Sequence, residues 1–174
     1  MDKELYFRKG KRKRPKLNKG DIFVAEIDDD IYIYGQIMNP CIKNKYDSFF
    51  NGNVLVVFYN VVTEGISNIF FKESNKKLLM GPIVIPKFAF NNGMLRMINL
   101  NIKIPKISYG FYRTKWDFNE KQSIIIPKYY NEEYKRRVFK PKYIDEFSVY
   151  TEYGLIHYIY KQIDKIPLIV NKDI

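Results

Sequence analysis

The residues with most capacity for chemistry in this chain are few and scattered. His157 is the single histidine and Cys41 the single cysteine, 116 positions apart. Structural zinc sites draw four ligands from clustered Cys and His, which this pair cannot supply. A general base at His157 would need a nucleophile and an orienting third group, and its neighbours Ile156 and Tyr158 provide neither. Cys41 follows Pro40 with no adjacent His, which reads as an inert thiol in the core or a loop. Gly20, Gly35, Gly52 and Gly65 are isolated, unlike the glycine-rich loops that cradle phosphates. No catalytic, metal-binding or cofactor-binding residue is assigned, and the expectation is a chain that does not make or break bonds.

The densest polar grouping is Asp28-Asp29-Asp30, preceded by Glu26 and followed by Tyr32 and Tyr34. The acids lack the central Gly and distal Glu of a calcium loop. Asp at a turn bonds its own backbone, so a solvated turn accounts for the triplet as it stands. Acids beside phenols also suit a basic protein partner, the Tyr rings giving buried area and the carboxylates steering approach. Glu26, Asp28, Asp29, Asp30, Tyr32 and Tyr34 are therefore the candidate partner-binding residues. For the two tyrosines the competing reading is packing of the sheet against a C-terminal helix, since aromatic rings fill cores first.

Basic residues fall in two segments. Residues 1–19 hold nine Lys/Arg against two acids, and residues 91–143 hold twelve against four. Residues 20–90 carry a net −2 and residues 144–174 another −2, within a chain total of +11. Such a split is not the continuous basic face of a dedicated nucleic-acid binder. Lys9–Lys16 packs six like charges into eight residues, a block that repels itself and reads as a solvated flexible tail, with a nucleic-acid tether or a targeting signal as the functional alternatives. Arg113, Lys115, Trp116 and Lys135-Arg136-Arg137 interleave with Phe111, Tyr112, Tyr129, Tyr130 and Tyr134, the residue types that hold single-stranded nucleic acid.

The elements that must position these residues are mostly strands. Phe23, Ala25 and Ile27 share one face of a first strand; Ile31, Ile33, Gly35 and Ile37 share one face of a second, with Tyr32, Tyr34 and Gln36 opposite. Period-2 alternation marks half-buried strands. Val54–Tyr59 is apolar on both faces and reads as central. Asn92-Gly93, between Lys87–Phe90 and Met94–Ile98, predicts a hairpin with a type I′ turn. Further strands are expected at Ile66–Phe71, Ile83–Ile85, Ile107–Tyr112 and Ser123–Ile126, with prolines 82, 86, 105 and 127 at or beside their ends. Ile144 and Phe147, then Leu155, Ile159 and Ile163, predict a terminal helix over about 144–165, interrupted in pattern by Gly154 and stopped by Pro167. The reading is a basic, flexible segment at 1–19 and one mainly β (α+β) domain at 20–174. Its core would be a curved antiparallel sheet or small SH3-like barrel with the C-terminal helix packed on it. One cysteine allows no intrachain disulfide, and no run approaches the ~20 apolar residues of a membrane helix, so a cytoplasmic protein is expected.

Lys19-Gly20-Asp21-Ile22-Phe23, then Tyr32-x-Tyr34-Gly35-Gln36-Ile37, then the apolar Val54–Tyr59 strand resemble the immunity protein 26 family. The Gly-Pro-Ile-Val-Ile segment at 81–85 and the Lys115-Trp116 pair fit later strands of that family, and the likeness covers roughly residues 17–126. The resemblance implies a bacterial, cytoplasmic immunity protein from a polymorphic or contact-dependent toxin system. Such a protein binds and neutralises a cognate toxin, here a basic nuclease if the acidic turn is the contact. It carries over no catalytic residues. A second class is a nucleic-acid-binding or RNA-cleaving SH3-like barrel protein, which also opens on a Gly-Asp-Ile strand. It would need Arg96 or Arg113 against a scissile phosphate, with an acid or hydroxyl moving protons.

Overall fold

The computed structural model describes residues 7–46, 48–66, 77–112, 114–117, 122–125, 129–133, 135–136, 140–146, 148–163, 166 and 168–170. Three long strands dominate it: β1 (Asp21–Asp28), β2 (Ile31–Asn39) and β3 (Val54–Glu64). β4 (Ile83–Ile85) and a one-turn helix α1 (Phe88–Asn91) follow, then β5 (Arg96–Asn101), β6 (Tyr109–Tyr112), β7 (Thr114–Asp117) and β8 (Gln122–Ile125). The chain closes with β9 (Tyr143–Glu146), α2 (Glu152–Ile163) and β10 (Leu168–Val170).

The principal sheet has six strands in the order β10-β3-β2-β1-β5, with β4 also on β3. Its pairings are antiparallel except for the parallel β10–β3 contact. Among the described residues the sheet stays open and does not close into a barrel. β3 shows why a doubly apolar run must be central. One edge pairs with β2; the other is covered in three pieces by β4 at Val54–Val56, by residues 77–79 near its middle, and by β10 at Val62–Glu64. β6 pairs in parallel with β9, and β7 pairs antiparallel with β8.

The alternation read along β1 and β2 is present, but both faces are buried. Phe23, Ala25, Ile27, Ile33 and Ile37 meet Leu155, Ile156 and Ile159 of α2 together with Phe90. On the other face Ile22, Val24, Tyr32, Tyr34, Val57 and Tyr59 form a second cluster, flanked by Ile98, Leu100, Ile102 and Ile107. A half-buried sheet was the wrong expectation for these strands: alternation records which face a side chain takes, and residues of β5 and of the segment after it border the face that the helix leaves.

Three further expectations differ from the structure. Asn92-Gly93 is not a type I′ hairpin and Lys87–Phe90 is not a strand. Phe88–Asn91 is helical, Asn92 keeps a negative φ of −85°, and only Gly93 is left-handed, at 82°. A glycine with positive φ ends helices as readily as it turns hairpins, so the dipeptide alone does not distinguish them. The terminal helix begins at Glu152, not near 144, because Tyr143–Glu146 is drawn into pairing with β6. Thr151 Oγ1 accepts the Gly154 N–H at 3.1 Å, a side-chain cap that fixes the later start. The basic N-terminal segment is not free from Phe7 onward. Phe7 is buried against the helix-covered face, Arg8 N–H donates to Glu26 O at 2.9 Å, and Lys9 pairs with Glu152 at 2.7 Å. The strand expected at 66–71 lies, beyond Ile66, outside the described residues.

Candidate interaction surface

Asp29 and Asp30 form the two-residue turn between β1 and β2, with Asp28 and Ile31 opposite each other. Asp28 Oδ1 accepts the Asp29 N–H at 2.9 Å, which is the local bonding that favours Asp in turns. Asp30 takes a left-handed φ of 56°, tolerated by few residues besides Gly, Asn and Asp. Its carbonyl accepts the Gly65 N–H at 2.7 Å, so the turn is clamped to the end of β3, where Glu64 is exposed.

The acidic turn is partly neutralised within the chain. Arg8 pairs with Asp29 and lies 4.0 Å from Asp28. Glu26 receives Arg96 at 2.8 Å, and the Arg96 guanidinium sits 5.1 Å from the centroid of the Tyr32 ring. Arg96 is thus built into a stacked Glu–Arg–Tyr arrangement and is not presented to a phosphate. Arg113 lies outside the described residues. Asp28, Asp29 and Asp30 are exposed at one end of the sheet and Glu26 is half-buried beside them.

The two tyrosines are on neither the surface nor the helix side. Tyr34 is fully buried and Tyr32 nearly so, on the face opposite α2. Thr63 Oγ1 donates to Gly65 O at 2.6 Å, which leaves it to accept the Tyr34 hydroxyl at 2.9 Å. Deeper on the same face, Tyr59 OH donates to Gln36 Oε1 at 2.6 Å, and the Gln36 amide donates to Gly20 O at 3.1 Å and Ile102 O at 2.8 Å. Burial pushes the Tyr59 phenol up to about 12. These polar groups hold strands and loops together. Of the six predicted partner contacts, Tyr32 and Tyr34 therefore leave the surface, and Asp28, Asp29 and Asp30 remain on it with Glu26 at its margin.

A second exposed feature escaped the sequence reading. Between β2 and β3, Tyr46 and Phe49 are 73% and 69% exposed. The loop that carries them is fixed by side-chain amides. Asn51 Oδ1 accepts the Asn44 N–H at 2.6 Å, Asn44 Oδ1 accepts the Tyr46 N–H at 2.9 Å, and Asn53 donates to Phe49 O at 2.6 Å. Its base is tied to Glu132, whose carboxylate accepts Tyr109 OH at 2.6 Å and the Asn39 amide at 3.3 Å. The many Asn residues of 39–53 were the available signal, since Asn bonds backbone in loops. His157 is exposed on α2, its ring stacked on Tyr153, and Cys41 is an exposed free thiol in the same loop as Tyr46. Among the described residues no cluster of three or more His, Cys, Asp or Glu could hold a metal ion, and no helix is long and apolar enough to cross a membrane.

Compared with known proteins, the chain matches no protein-family model, no curated protein and no solved structure.

Proposed function

We propose that this chain is an immunity protein that binds a cognate bacterial toxin in the cytoplasm and neutralises it without catalysis. The observation that carries the reading is the turn Asp28–Asp30, held to β3 by the Asp30–Gly65 bond and presented at the end of a sheet buried on both faces. A preformed contact of this kind loses little conformational entropy on association. Exposed carboxylates raise the capture rate of a basic partner by about 10–10³. The partner that fits is therefore a basic nuclease toxin, with its cationic substrate channel over the turn.

The test is co-expression with the product of the adjacent reading frame, followed by rescue of growth and size-exclusion chromatography of the pair. Rescue with a stable complex is expected. Changing Asp28, Asp29 and Asp30 together to Asn should slow association at least tenfold and flatten its salt dependence. If the triple variant captures the toxin as fast as the parent while a Phe49→Ala variant does not, the aromatic loop is the contact and the acidic turn is not. Absence of both rescue and complex would remove the immunity reading.

A further inference from the structure

The toxin reading leaves the basic arm unused. From Lys11 to Lys16, five of six side chains are cationic, and all five are exposed. Among the described residues none of these five has a carboxylate partner, whereas Arg8 and Lys9 just before them do. The arm is anchored at both ends: Gly10 N–H donates to Gly93 O at 3.1 Å, and the Asn101 amide donates to Lys19 O at 2.9 Å. Between these anchors it stands off β5, the edge strand of the sheet, and recesses open along it. One of about 500 Å³ is lined by Lys11, Lys13 and Pro15 of the arm together with Arg96, Met97 and Ile98 of β5. A second, of about 470 Å³, lies further along between Lys16 and Met97, Leu100 and Asn101. Asp21, the carboxylate among its described lining residues, is already held by Asn18 and Asn101. A third recess, of about 400 Å³, is lined by Arg12, Lys13, Arg14, Phe88, Asn91 and Asn92. Phe88 there is 61% exposed.

We infer that the arm and β5 form a binding groove for single-stranded nucleic acid, with the arm cations on successive phosphates and Phe88 as a stacking platform. Paired charges at such density would be silent, but these have no carboxylate partner among the described residues and so release condensed counterions when a polyanion binds. An exposed aromatic ring flanked by Arg12 and Arg14 offers a face to any unpaired base, and a duplex keeps its bases stacked inside. An acidic protein segment would use the cations and leave the ring idle. This groove is separate from the acidic turn, so the inference stands or falls independently of the toxin reading.

The experiment is fluorescence anisotropy of the full chain with labelled oligo(dT) and oligo(U) of about 12 nucleotides, within the site sizes usual for such grooves. With about four or five phosphates neutralised, affinity should fall about 50- to 130-fold between roughly 50 and 200 mM salt. Arg12→Gln with Arg14→Gln should lower the logarithmic salt slope by about 1.4. Phe88→Ala should weaken binding about fivefold or more and leave the slope unchanged. All three side chains are exposed, and thermal melts would verify that the variants fold. No binding at the lowest salt, equal affinity for a duplex of the same length, an unchanged slope in the double variant, or parent-like binding by Phe88→Ala would each overturn the groove. Polyglutamate competing as well as the oligonucleotide would do the same, assigning the arm to acidic protein.

Discussion

The ring of Phe23 lies across the bare Cα of Gly35, its cross-strand partner: a Cβ built on Gly35 would stand 2.2 Å from Phe23 Cζ and 2.8 Å from Val57 O. Phe23 in turn meets Phe58 and Phe90 edge to face, at 5.3 and 5.2 Å. The glycine is what lets three aromatic rings pack over the middle of β2. Gly35→Ala should destabilise the fold by about 2–3 kcal/mol, as overpacking does, and lower the urea midpoint. Pairing it with Phe23→Leu should recover part of the loss, because the smaller side chain vacates the site of the new methyl.

Tyr59 gives a pH signature. Its phenol is raised from 10.0 to about 12 by burial, so the folded state holds the proton more tightly than the unfolded one. The associated stability is complete below about pH 10 and is lost as pH rises towards 12. A rise of that size corresponds to about 2–3 kcal/mol. Denaturant titrations across this window should show the parent losing stability faster than Tyr59→Phe. At neutral pH the variant should be about 1–2 kcal/mol less stable, because Gln36 Oε1 loses its donor.

Phe7 makes the basic segment part of the fold. It is 1% exposed, within the cluster that α2 covers, and its ring centroid is 6.4 Å from that of Tyr160. Phe7→Ala should cost about 3–5 kcal/mol, measured by chemical denaturation. Removal of residues 1–19 should be at least as damaging. The arm's role in nucleic-acid binding is therefore better probed through Arg12, Arg14 and Phe88 than by truncation.

Arg8 tunes the acidic turn. Its pairs with Asp28 and Asp29 involve exposed partners, and pairs of this kind contribute at most about 1 kcal/mol. Arg8→Gln should leave the melting temperature nearly unchanged while increasing the negative potential at the turn. Stopped-flow association with a basic toxin should then accelerate several-fold at low salt and converge on the parent as salt screens the field. A slower association would show that Arg8 itself touches the partner.

The β character of the chain, its long central strand and the faces of β1 and β2 were legible because period-2 alternation and continuous apolar runs are local properties. Val54–Tyr59 could only be central, and Ile83–Ile85 is a strand where the apolar pattern placed it. The acidic turn was equally legible, since Asp carries its own turn-forming bonds. The terminal helix was readable in Leu155 and Ile159, both buried in the structure, but not in its start, because the parallel partner of Tyr143–Glu146 lies more than 30 residues away.

What tertiary structure alone decided is which charges and phenols are spent. Nothing local tells that Arg96 returns to Glu26 across 70 residues, that Arg8 reaches the Asp28–Asp29 turn, or that Tyr34 closes on Thr63. Nor does a block of like charges reveal that Phe7 and Gly10 fasten it to the core and to the turn before β5, while the cations of Lys11–Lys16 meet no carboxylate among the described residues. Side-chain periodicity follows from the geometry of one strand, so the residues themselves encode it. Pairing of buried or exposed polar groups depends on which distant segments the closed core brings within about 3 Å, the reach of a hydrogen bond, and only the folded chain sets that distance.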